Sequence, residues 1–338
     1  MPHFEGLEDI ALERVANELI AAACGRFGLT LIDATFVGYS ANVVYRIAAA
    51  RGGEQAEYAL RICDPKSYTT PQLEAECHWM AAVARDSSVA PPEPLSTDGG
   101  QYIAEVSVEG LPVSRRCAMF RWLEGDAIDE PRPQHLRSLG AMTAELHNHA
   151  DTAAPCTPVD RPNANWASIL TRFVEGHFSA SWAGHDDDVV TEEDRDVFMR
   201  AAARLTEDIA AIPRDRDCGL IHADLHQWNV LYHDGEPHPI DFDDCHFGPY
   251  MTDVATTLWY LQDDNDFPAL REAYLAGYRT RRDTPPDWAS QVEVFAAARY
   301  MSMLSWILAW PTEHHVWSGM ETIARYARRL SEYLDAPS

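Results

Sequence analysis

The segment Leu220–Leu231 (LIHADLHQWNVL) and the later segment Pro239–Asp244 (PIDFDD) are the most informative parts of this chain. Asp224 is followed five residues later by Asn229 and twelve residues after that by Asp241. Each of the three lies at the edge of a short apolar run, which is typical of short strands that end in polar loops. The pattern predicts a small strand–loop–strand insert that carries two carboxylates and one amide.

These three side chains are the groups needed to transfer a phosphoryl group from a nucleotide to a hydroxyl. In that chemistry Asp224 accepts the hydroxyl proton, while the amide of Asn229 and the carboxylate of Asp241 hold Mg²⁺ on the phosphates. Asp243 is a second candidate for the metal, because alternate residues share one face of a strand. Asp244 is expected to lie in a solvated turn.

The same residues allow two other interpretations. His222, Asp224 and His226 could form the metal cluster of a hydrolase, with His233 or His238 as a further ligand. However, the chain has no His-Glu-x-x-His helix, and a strand follows the cluster. A plain polar turn is the second alternative, although such a turn rarely needs His, Asp and Asn at this spacing. The roles favour phosphoryl transfer, in which His222 supports the loop.

Composition limits the class of protein. At 338 residues, two lobes are expected, and a hydrophobic fraction of 46% with ten Trp can fill their cores. We find no uncharged apolar run of about 18 residues and no secretory signal, so we expect no membrane span. The seven Cys are scattered without a Cys-x-x-Cys pair, which favours a reducing, cytoplasmic location and argues against structural zinc.

The formal net charge of −26 is strongly acidic. Such a field repels nucleic acid and anionic lipid, so neither is expected as a partner. It suits a cationic substrate, or it simply keeps the protein in solution. We weight solubility higher, because acidic surfaces are common and substrates are selected locally.

Hydrophobic periodicity and turn residues predict an α+β chain of two lobes, 1–122 and 123–338. In the first, we predict helices over 7–27 and 71–85 and strands over 30–37, 42–48, 57–63, 101–108 and 116–122. In the second, helices are predicted over 132–150, 164–177, 191–212, 248–262, 268–281, 287–309 and 317–335. Residues 179–188, rich in Gly, Ser and Asp, are the predicted mobile loop.

The motif His222-x-Asp224-x-x-x-x-Asn229, followed by Ile-Asp241, resembles that of the aminoglycoside phosphotransferase superfamily. The likeness runs from about residue 30 to 330. It implies a bilobal protein-kinase-like fold, with an antiparallel sheet and one helix in the first lobe and a mostly helical second lobe. It also implies that Asp253 braces the catalytic loop through backbone amides.

The resemblance extends to nucleotide binding. The third strand carries no Lys, and Lys66, the only Lys of the chain, lies beyond Asp64-Pro65. Arg61 therefore takes the phosphate-binding role, since its planar fork can hold phosphate oxygens. The family pattern makes Glu76, rather than Glu74, the partner of Arg61. The alternative for Arg61 is a surface charge on an edge strand.

Two loops complete the predicted nucleotide site. The loop Val37–Tyr45 would cover the phosphates with backbone N–H groups and the Ser40 hydroxyl, although a simple hairpin turn explains it nearly as well. The segment Arg121–Gly125 resembles the family hinge, in which backbone groups near Arg121 and Leu123 pair with the adenine edge. The resemblance thus implies ATP or GTP, with Mg²⁺, as cofactors.

The acceptor is predicted to be a small-molecule hydroxyl compound such as an aminoglycoside or an amino alcohol. A stress-response-type Ser/Thr protein kinase and a nucleotide-binding pseudokinase are the alternatives. Aromatic and acidic residues of the helical lobe could contact an amine-bearing acceptor, but core packing is the default for each aromatic. These candidates are Trp259, Tyr260, Asp263, Asp264, Tyr300, Trp306, Trp310, Glu313, His314 and His315.

Overall fold

The computed structural model describes residues 9–39, 42–66, 68–152, 166–178, 190–213, 217–309 and 320–336. Its helices are α1 (Asp9–Arg26), α2 (Thr70–Asp86), α3 (Pro133–Thr152), α4 (Trp166–Val174), α5 (Glu192–Ala211), α6 (Met251–Leu261), α7 (Phe267–Tyr278), α8 (Trp288–Ala309) and α9 (Met320–Asp335). Its strands are β1 (Thr30–Tyr39), β2 (Val43–Arg51), β3 (Glu54–Ile62), β4 (Ile103–Val106), β5 (Arg115–Arg121), β6 (Cys218–Ile221), β7 (Val230–His233), β8 (Glu236–Pro239) and β9 (His246–Pro249).

The described chain divides into two compact units. The first contains the residues up to Asp129 and the segment Trp228–Asp243. The second contains Glu130–Ala150, the described residues of 160–227, and the described chain from Asp244 onward. The sequence-based division at 122/123 assigns Trp228–Asp243 to the second domain, whereas the structure groups that segment with the first unit.

A five-stranded antiparallel sheet forms the core of the first unit, in the order β1-β2-β3-β5-β4. Alternation along β2 buries Val43, Tyr45, Ile47 and Ala49 on one face, as expected for a half-buried strand. They share a hydrophobic cluster with Leu19, Ile20 and Ala23 of α1 and with Phe27 just after it. The burial of this shared apolar surface holds helix and sheet together.

A tight β-hairpin, β7–β8, belongs to the same unit. Asp234 and Gly235 connect the two strands with positive φ angles of 51° and 85°, as a two-residue type I′ turn requires. The turn sets the register Val230↔Pro239 and His233↔Glu236. The pairing continues one step further, because Ile240 N–H donates to the Asn229 carbonyl at 2.9 Å. Asn229 and Asp241, which are twelve residues apart in the sequence, thereby flank the open end of the hairpin.

Helices dominate the second unit, together with the two-stranded β6–β9 ladder. Among the described helices, α8 is long and apolar enough to cross a membrane by length and composition alone. It is a core helix of this unit, since Phe295, Ala298, Met301, Leu304 and Leu308 are buried along it. A buried core helix commonly meets that criterion.

The predicted α+β class is confirmed, and each predicted helix has a counterpart among the described residues. The helix predicted over 248–262 begins only at Met251, because residues His246–Pro249 pair with β6 as β9. The predicted mobile loop, 179–188, lies outside the described residues.

Candidate active site

A cavity of about 430 Å³ lies within the first unit. Most of its wall is apolar, and its polar side chains include those from β3, α2, the loop before β2, the end of β5 and the two ends of the β7–β8 hairpin. The lining residues include Val37, Val44, Ala59, Arg61, Glu76, Met80, Phe120, Leu123, Asn229, Leu231, Ile240 and Asp241. An apolar slot with a few convergent polar groups is the usual form of a small-molecule or cofactor site.

The hairpin brings Asn229 and Asp241 to this cavity. Asn229 ends a short 3₁₀ turn just before β7, and Asp241 follows Ile240 just after β8. Asp241 has a φ of 61°, which is uncommon for a residue with a side chain and is often found at functional sites. An amide oxygen and a carboxylate in one cavity suit a hard cation such as Mg²⁺, which keeps several waters and needs few protein ligands.

Arg61 and Glu76 form a buried, two-pronged ion pair beside them. Arg61 Nη1 lies 2.7 Å from Glu76 Oε1, and Arg61 Nη2 lies 3.0 Å from Glu76 Oε2. Burial acts to lower the pKa of Arg61, but the attraction and hydrogen bond of Glu76 and the attraction of Asp243 and other neighbours together outweigh it, so the pKa is raised. The strand β3 lies between β2 and β5, so Arg61 is not on a sheet edge. The alternative of an edge-strand surface charge is therefore wrong.

Asp243 extends this network. Its Oδ2 accepts a hydrogen bond from Asn42 Nδ2 at 3.0 Å, and its Oδ1 lies 3.7 Å from Arg61 Nη1. The argument that Asp243 and Asp241 share a strand face is wrong, because β8 ends at Pro239 and Phe242–Asp244 form a 3₁₀ turn. The sequence did not identify Asn42, which carries no signal beyond its place in a loop.

The backbone at the end of β5 supplies further polar groups. Arg121 N–H donates to the Glu93 carbonyl at 2.8 Å, and Trp122 N–H donates to the Glu57 carbonyl at 3.0 Å. Both donors are therefore already engaged, which leaves the Arg121 carbonyl and the Leu123 N–H as candidate partners for a ligand. Leu123 and Arg121 both line the cavity. Ser40, the predicted hydroxyl contact, lies outside the described residues.

Asp224 belongs to the second unit, where its main partner is Arg299 of α8. Arg299 Nη2 donates to Asp224 Oδ1 at 2.5 Å and to the Tyr260 hydroxyl at 2.8 Å. His226 Nε2 lies 3.5 Å from the other carboxylate oxygen of Asp224. Burial acts to raise the pKa of Asp224, but Arg299 and His226 outweigh it, so this pKa lies below the ordinary range. Asp224 thus stays ionised.

The sequence reasoning missed Arg299. The available signal was its position in α8, a helix of 22 residues whose only other charged residue is Glu293. A charge inside an otherwise apolar helix needs a partner, but the sequence does not show which residue supplies it.

Asp253 of α6 braces the loop that carries Asp224. Its Oδ2 accepts the His222 N–H at 3.0 Å, and its Oδ1 accepts the Ala223 N–H at 2.6 Å. His147 Nε2 lies 3.2 Å from the same carboxylate, and its Nδ1 lies 2.9 Å from the Tyr278 hydroxyl. Ala223 has a φ of 69°, so the carboxylate holds an unfavourable backbone conformation in place.

His222 is fully buried, and its Nδ1 accepts the backbone N–H of Asp224 at 3.3 Å. It thus contacts the loop from within, as a supporting residue would. In the part of the chain that the structure describes, no group of three or more His, Cys, Asp or Glu side chains could hold a metal ion. The hydrolase-type cluster of His222, Asp224 and His226 does not form there.

The acceptor candidates differ in their surroundings. Trp259 and Tyr300 are buried and pack with Tyr326, so they belong to the core. Asp263 makes ion pairs with Arg325 and Arg329 of α9. Tyr260 contacts Arg299 and packs at a tilt against His226, with ring centres 4.3 Å apart and the planes at 51°. Trp310, Glu313, His314 and His315 lie outside the described residues.

Comparison with known proteins shows the family. The family model described as the phosphotransferase enzyme family (APH) matches residues 36–290, which is most of the chain. The chain belongs to this phosphotransferase family. The predicted recognition is therefore confirmed.

Curated relatives of this phosphotransferase are small-molecule kinases. The amicoumacin kinase of Bacillus subtilis (strain 168) is 22% identical over 297 residues, which cover 84% of this chain and 82% of that kinase. The homoserine kinase of Methylobacterium sp. (strain 4-46) is 28% identical over 231 residues, or 66% of this chain and 65% of that enzyme. The predicted enzyme class, a kinase that acts on small-molecule hydroxyls, is confirmed.

A solved structure shows the same fold. The amicoumacin kinase hAmiN, in complex with AMP-PNP, Ca²⁺ and Ami, aligns with a TM-score of 0.75 at 17% identity, over 95% of this chain and 93% of its own. The predicted protein-kinase-like fold of this phosphotransferase is thus confirmed. The roles of its individual residues remain predictions.

Proposed function

We propose that this phosphotransferase transfers the γ-phosphoryl group of ATP to the hydroxyl of a small molecule, with Mg²⁺ as the metal. The observation that carries the proposal is the cavity of the first unit, where an apolar slot meets a buried Arg–Glu pair, an amide and a carboxylate. Asp224, five residues before Asn229 in the sequence, supplies the base on the catalytic loop.

The apolar part of the cavity suits a purine. Val44 and Ala59 of the sheet and Leu231 and Ile240 of the hairpin provide flat apolar surface for a base. The Arg121 carbonyl would accept the adenine N6 amine, and the Leu123 N–H would donate to adenine N1. Guanine presents an acceptor and a donor in the reverse order, so this backbone pattern favours ATP over GTP.

The polar part suits a triphosphate. Arg61, held in place by Glu76, offers charge-assisted hydrogen bonds to phosphate oxygens. Asn229 and Asp241 would hold Mg²⁺, whose positive charge would offset the negative charge of the phosphate groups. The hairpin fixes the spacing of these two ligands, because the Ile240–Asn229 backbone bond closes its open end.

Asp224 would orient the acceptor hydroxyl and take its proton late in the reaction. Its lowered pKa keeps it ionised near neutral pH, so it can accept a hydrogen bond from the hydroxyl until the proton is transferred. The protein-kinase alternative receives little support, since a 3₁₀ turn and β9 occupy much of the nine residues between Asp241 and α6. Those nine residues are too few for a long activation segment.

The cysteines that the structure describes are free thiols, which suits the proposed cytoplasmic location. They are Cys24, Cys63, Cys77, Cys117, Cys218 and Cys245.

The test is a nucleotide-consumption screen against aminoglycosides, macrolides, spectinomycin, homoserine, choline, aminopropanol and sugar amines. We expect consumption that depends on one chemical class of acceptor and yields a phosphate ester, identified by mass spectrometry. ATP should support a higher kcat/KM than GTP with the same acceptor. Autophosphorylation without any acceptor-dependent turnover would favour the protein-kinase alternative, and nucleotide binding without turnover would favour the pseudokinase.

A further inference from the structure

Arg299 is the most unusual charged residue of the second unit. Its side chain is only 11% exposed, and it lies on the apolar helix α8 next to the residue assigned as the base. Among the described residues, Asp224 is the carboxylate within salt-bridge distance of Arg299. Asp244 attracts the guanidinium more weakly. A buried guanidinium is costly to desolvate, so its presence calls for an explanation.

The hydrogen bonds of Arg299 use only part of its donor set. A guanidinium has five N–H donors, and both bonds found here, to Asp224 and to Tyr260, come from Nη2. The buried Nε has no hydrogen-bond partner among the residues that the structure describes. A buried donor without a partner is rare in folded proteins and calls for an explanation, of which a functional role is one.

We propose that Arg299 is a specificity-determining residue that binds a carboxylate of the acceptor. The acceptor would then be a hydroxy acid, such as a hydroxy amino acid, whose hydroxyl meets Asp224 while its carboxylate meets Arg299. This inference rests on the proposed function. Arg suits the role because its planar fork matches the two oxygens of a carboxylate.

The neighbours of Arg299 suit a small acceptor. Tyr260 holds Nη2, and its ring lies against the imidazole of His226, so the guanidinium is kept in one orientation. Further along α8, Met303 and Trp306 lie four and seven residues on, which places them on the same face of the helix as Arg299. Neither is fully buried, and Trp306 is 40% exposed. They provide apolar surface for the rest of the acceptor.

Two other roles for Arg299 predict different kinetics. Arg299 could act solely by positioning Asp224, or it could contact the transferred phosphoryl group. Either role would affect every acceptor alike, because Asp224 and the phosphoryl group take part in every turnover. A role in carboxylate binding would affect only acceptors that have a carboxylate. The ratio of kcat/KM between two acceptors that differ in that group alone separates these cases.

The experiment uses matched pairs of acceptors: L-homoserine with 3-aminopropan-1-ol, L-threonine with 1-aminopropan-2-ol, and L-serine with 2-aminoethanol. The best acceptor of the wider screen is added, with its analogue lacking the carboxylate. We expect the wild-type enzyme to prefer the carboxylate-bearing member of the best pair by about tenfold or more in kcat/KM. In Arg299→Gln this preference should vanish, mainly through a higher KM, and Arg299→Lys should retain part of it.

Arg200→Gln is the control, since Arg200 is an exposed cation of α5 in the same unit, paired with Asp196. It should keep the wild-type ratio. Circular dichroism melting checks that each variant folds, and nucleotide binding checks the first unit separately. The proposal is overturned if the best acceptor lacks a carboxylate, or if Arg299→Gln lowers kcat equally for both members of a pair. Turnover of no compound at all would count against the proposed function as well, whereas turnover of carboxylate-free acceptors alone would reject only this inference.

Discussion

Two aspartates on either side of the catalytic loop differ in their surroundings. Asp253 is completely buried and receives two backbone N–H groups and an imidazole. Asp224 keeps about a fifth of its side chain exposed, and its carboxylate contacts the side chains of Arg299 and His226. The first environment fixes a backbone, whereas the second leaves a carboxylate edge accessible to a substrate. The surroundings therefore suit a structural role at Asp253 and the proposed chemical role at Asp224.

Asp224→Ala should lower kcat by about 10²-fold to 10⁴-fold, because the general base would be lost. Nucleotide affinity should change little, since Asp224 does not line the cavity of the first unit. Steady-state kinetics and calorimetric titration with ATP measure the two effects. Unchanged kcat would reject the base assignment, and a large loss of ATP affinity would show that Asp224 acts on the nucleotide instead.

Asp253→Asn should destabilise the protein by about 3 kcal/mol at neutral pH, because a buried charge network would be broken. Burial acts to raise the pKa of Asp253, but the His147 and backbone hydrogen bonds outweigh it and lower the pKa. A lowered folded-state pKa stabilises the fold above the unfolded value of about 3.9, and this contribution is lost as pH falls through the folded value.

The difference in unfolding free energy between wild type and Asp253→Asn should therefore shrink below about pH 4. Urea unfolding at several pH values measures it. Asp196→Asn, at an exposed carboxylate of α5, is the matched control and should show a small effect. A difference that stayed constant with pH would mean that Asp253 does not carry the linked charge.

Substitutions of the Arg61–Glu76 pair should affect the stability of the fold and the binding of nucleotide to different extents. Glu76→Ala leaves a buried guanidinium with weaker pairing and should cost about 3–5 kcal/mol. The double variant Arg61→Met with Glu76→Leu should recover most of that stability, because it removes both charges and keeps the volume. Asp243 would keep its bond to Asn42.

The Glu76→Ala variant and the Arg61→Met, Glu76→Leu double variant should both bind ATP about tenfold or more weakly than the wild type. Their affinity for adenosine should stay near the wild-type value. Chemical unfolding and calorimetric titration with ATP and adenosine provide the two readouts. An undiminished affinity for ATP in the stable double variant would show that Arg61 does not contact phosphate.

At the scale of elements, α3 and α7 approach each other closely at two glycines. A Cβ on Gly277 would lie 2.7 Å from the carbonyl carbon of Arg137 and nearer still to its oxygen. A Cβ on Gly140 would lie 2.9 Å from the carbonyl carbon of Tyr274 and again nearer to the oxygen. Each helix thus presents a glycine to the backbone of the other. This contact positions His147 of α3 near Tyr278 at the end of α7.

Gly277→Ala should lower the free energy of unfolding by about 3 kcal/mol, because backbone on one of two packed helices must move. Gly25→Ala in α1 is the control, since a Cβ there meets nothing within 4 Å. It should leave stability unchanged or raise it by up to about 1 kcal/mol through helix propensity. Equal melting curves for Gly277→Ala and wild type would show that the two helices can separate at little cost.

For the whole molecule, ligand binding and stability are linked by mass action. Mg²⁺–ATP at about 100 times its Kd should stabilise the fold by about 2.7 kcal/mol, provided that it binds only the native state. Asp241→Asn should remove the part of this stabilisation that depends on Mg²⁺, and it should keep the part that adenosine alone produces. Thermal melts with Mg²⁺–ATP, with ATP plus EDTA and with adenosine separate the two parts.

Asp234→Asn is the matched control for Asp241→Asn. Asp234 is an exposed residue of the turn in the same hairpin, and Asn also tolerates its positive φ. It should show the full Mg²⁺-dependent shift. An equal shift in Asp241→Asn would remove Asp241 from the metal site.

The sequence alone determined the class of fold, the helices and the strands of the first lobe, the family and the motif of Asp224, Asn229 and Asp241; it did not identify β9. These depend on local periodicity, turn residues and short spacings, which neighbouring residues set. The pairing of Arg61 with Glu76 followed from the family pattern. It is not visible in local spacing.

Only the tertiary structure showed Arg299 against Asp224, Asn42 against Asp243, and Trp228–Asp243 grouped with the first unit. It also showed that Asp243 lies on a turn and not on a strand. Arg299 and Asp224 are separated by 75 residues, and Asn42 and Asp243 by 201. No local pattern specifies such partners, because a buried charge requires only some compensating group. Which group meets it depends on how helices and strands pack.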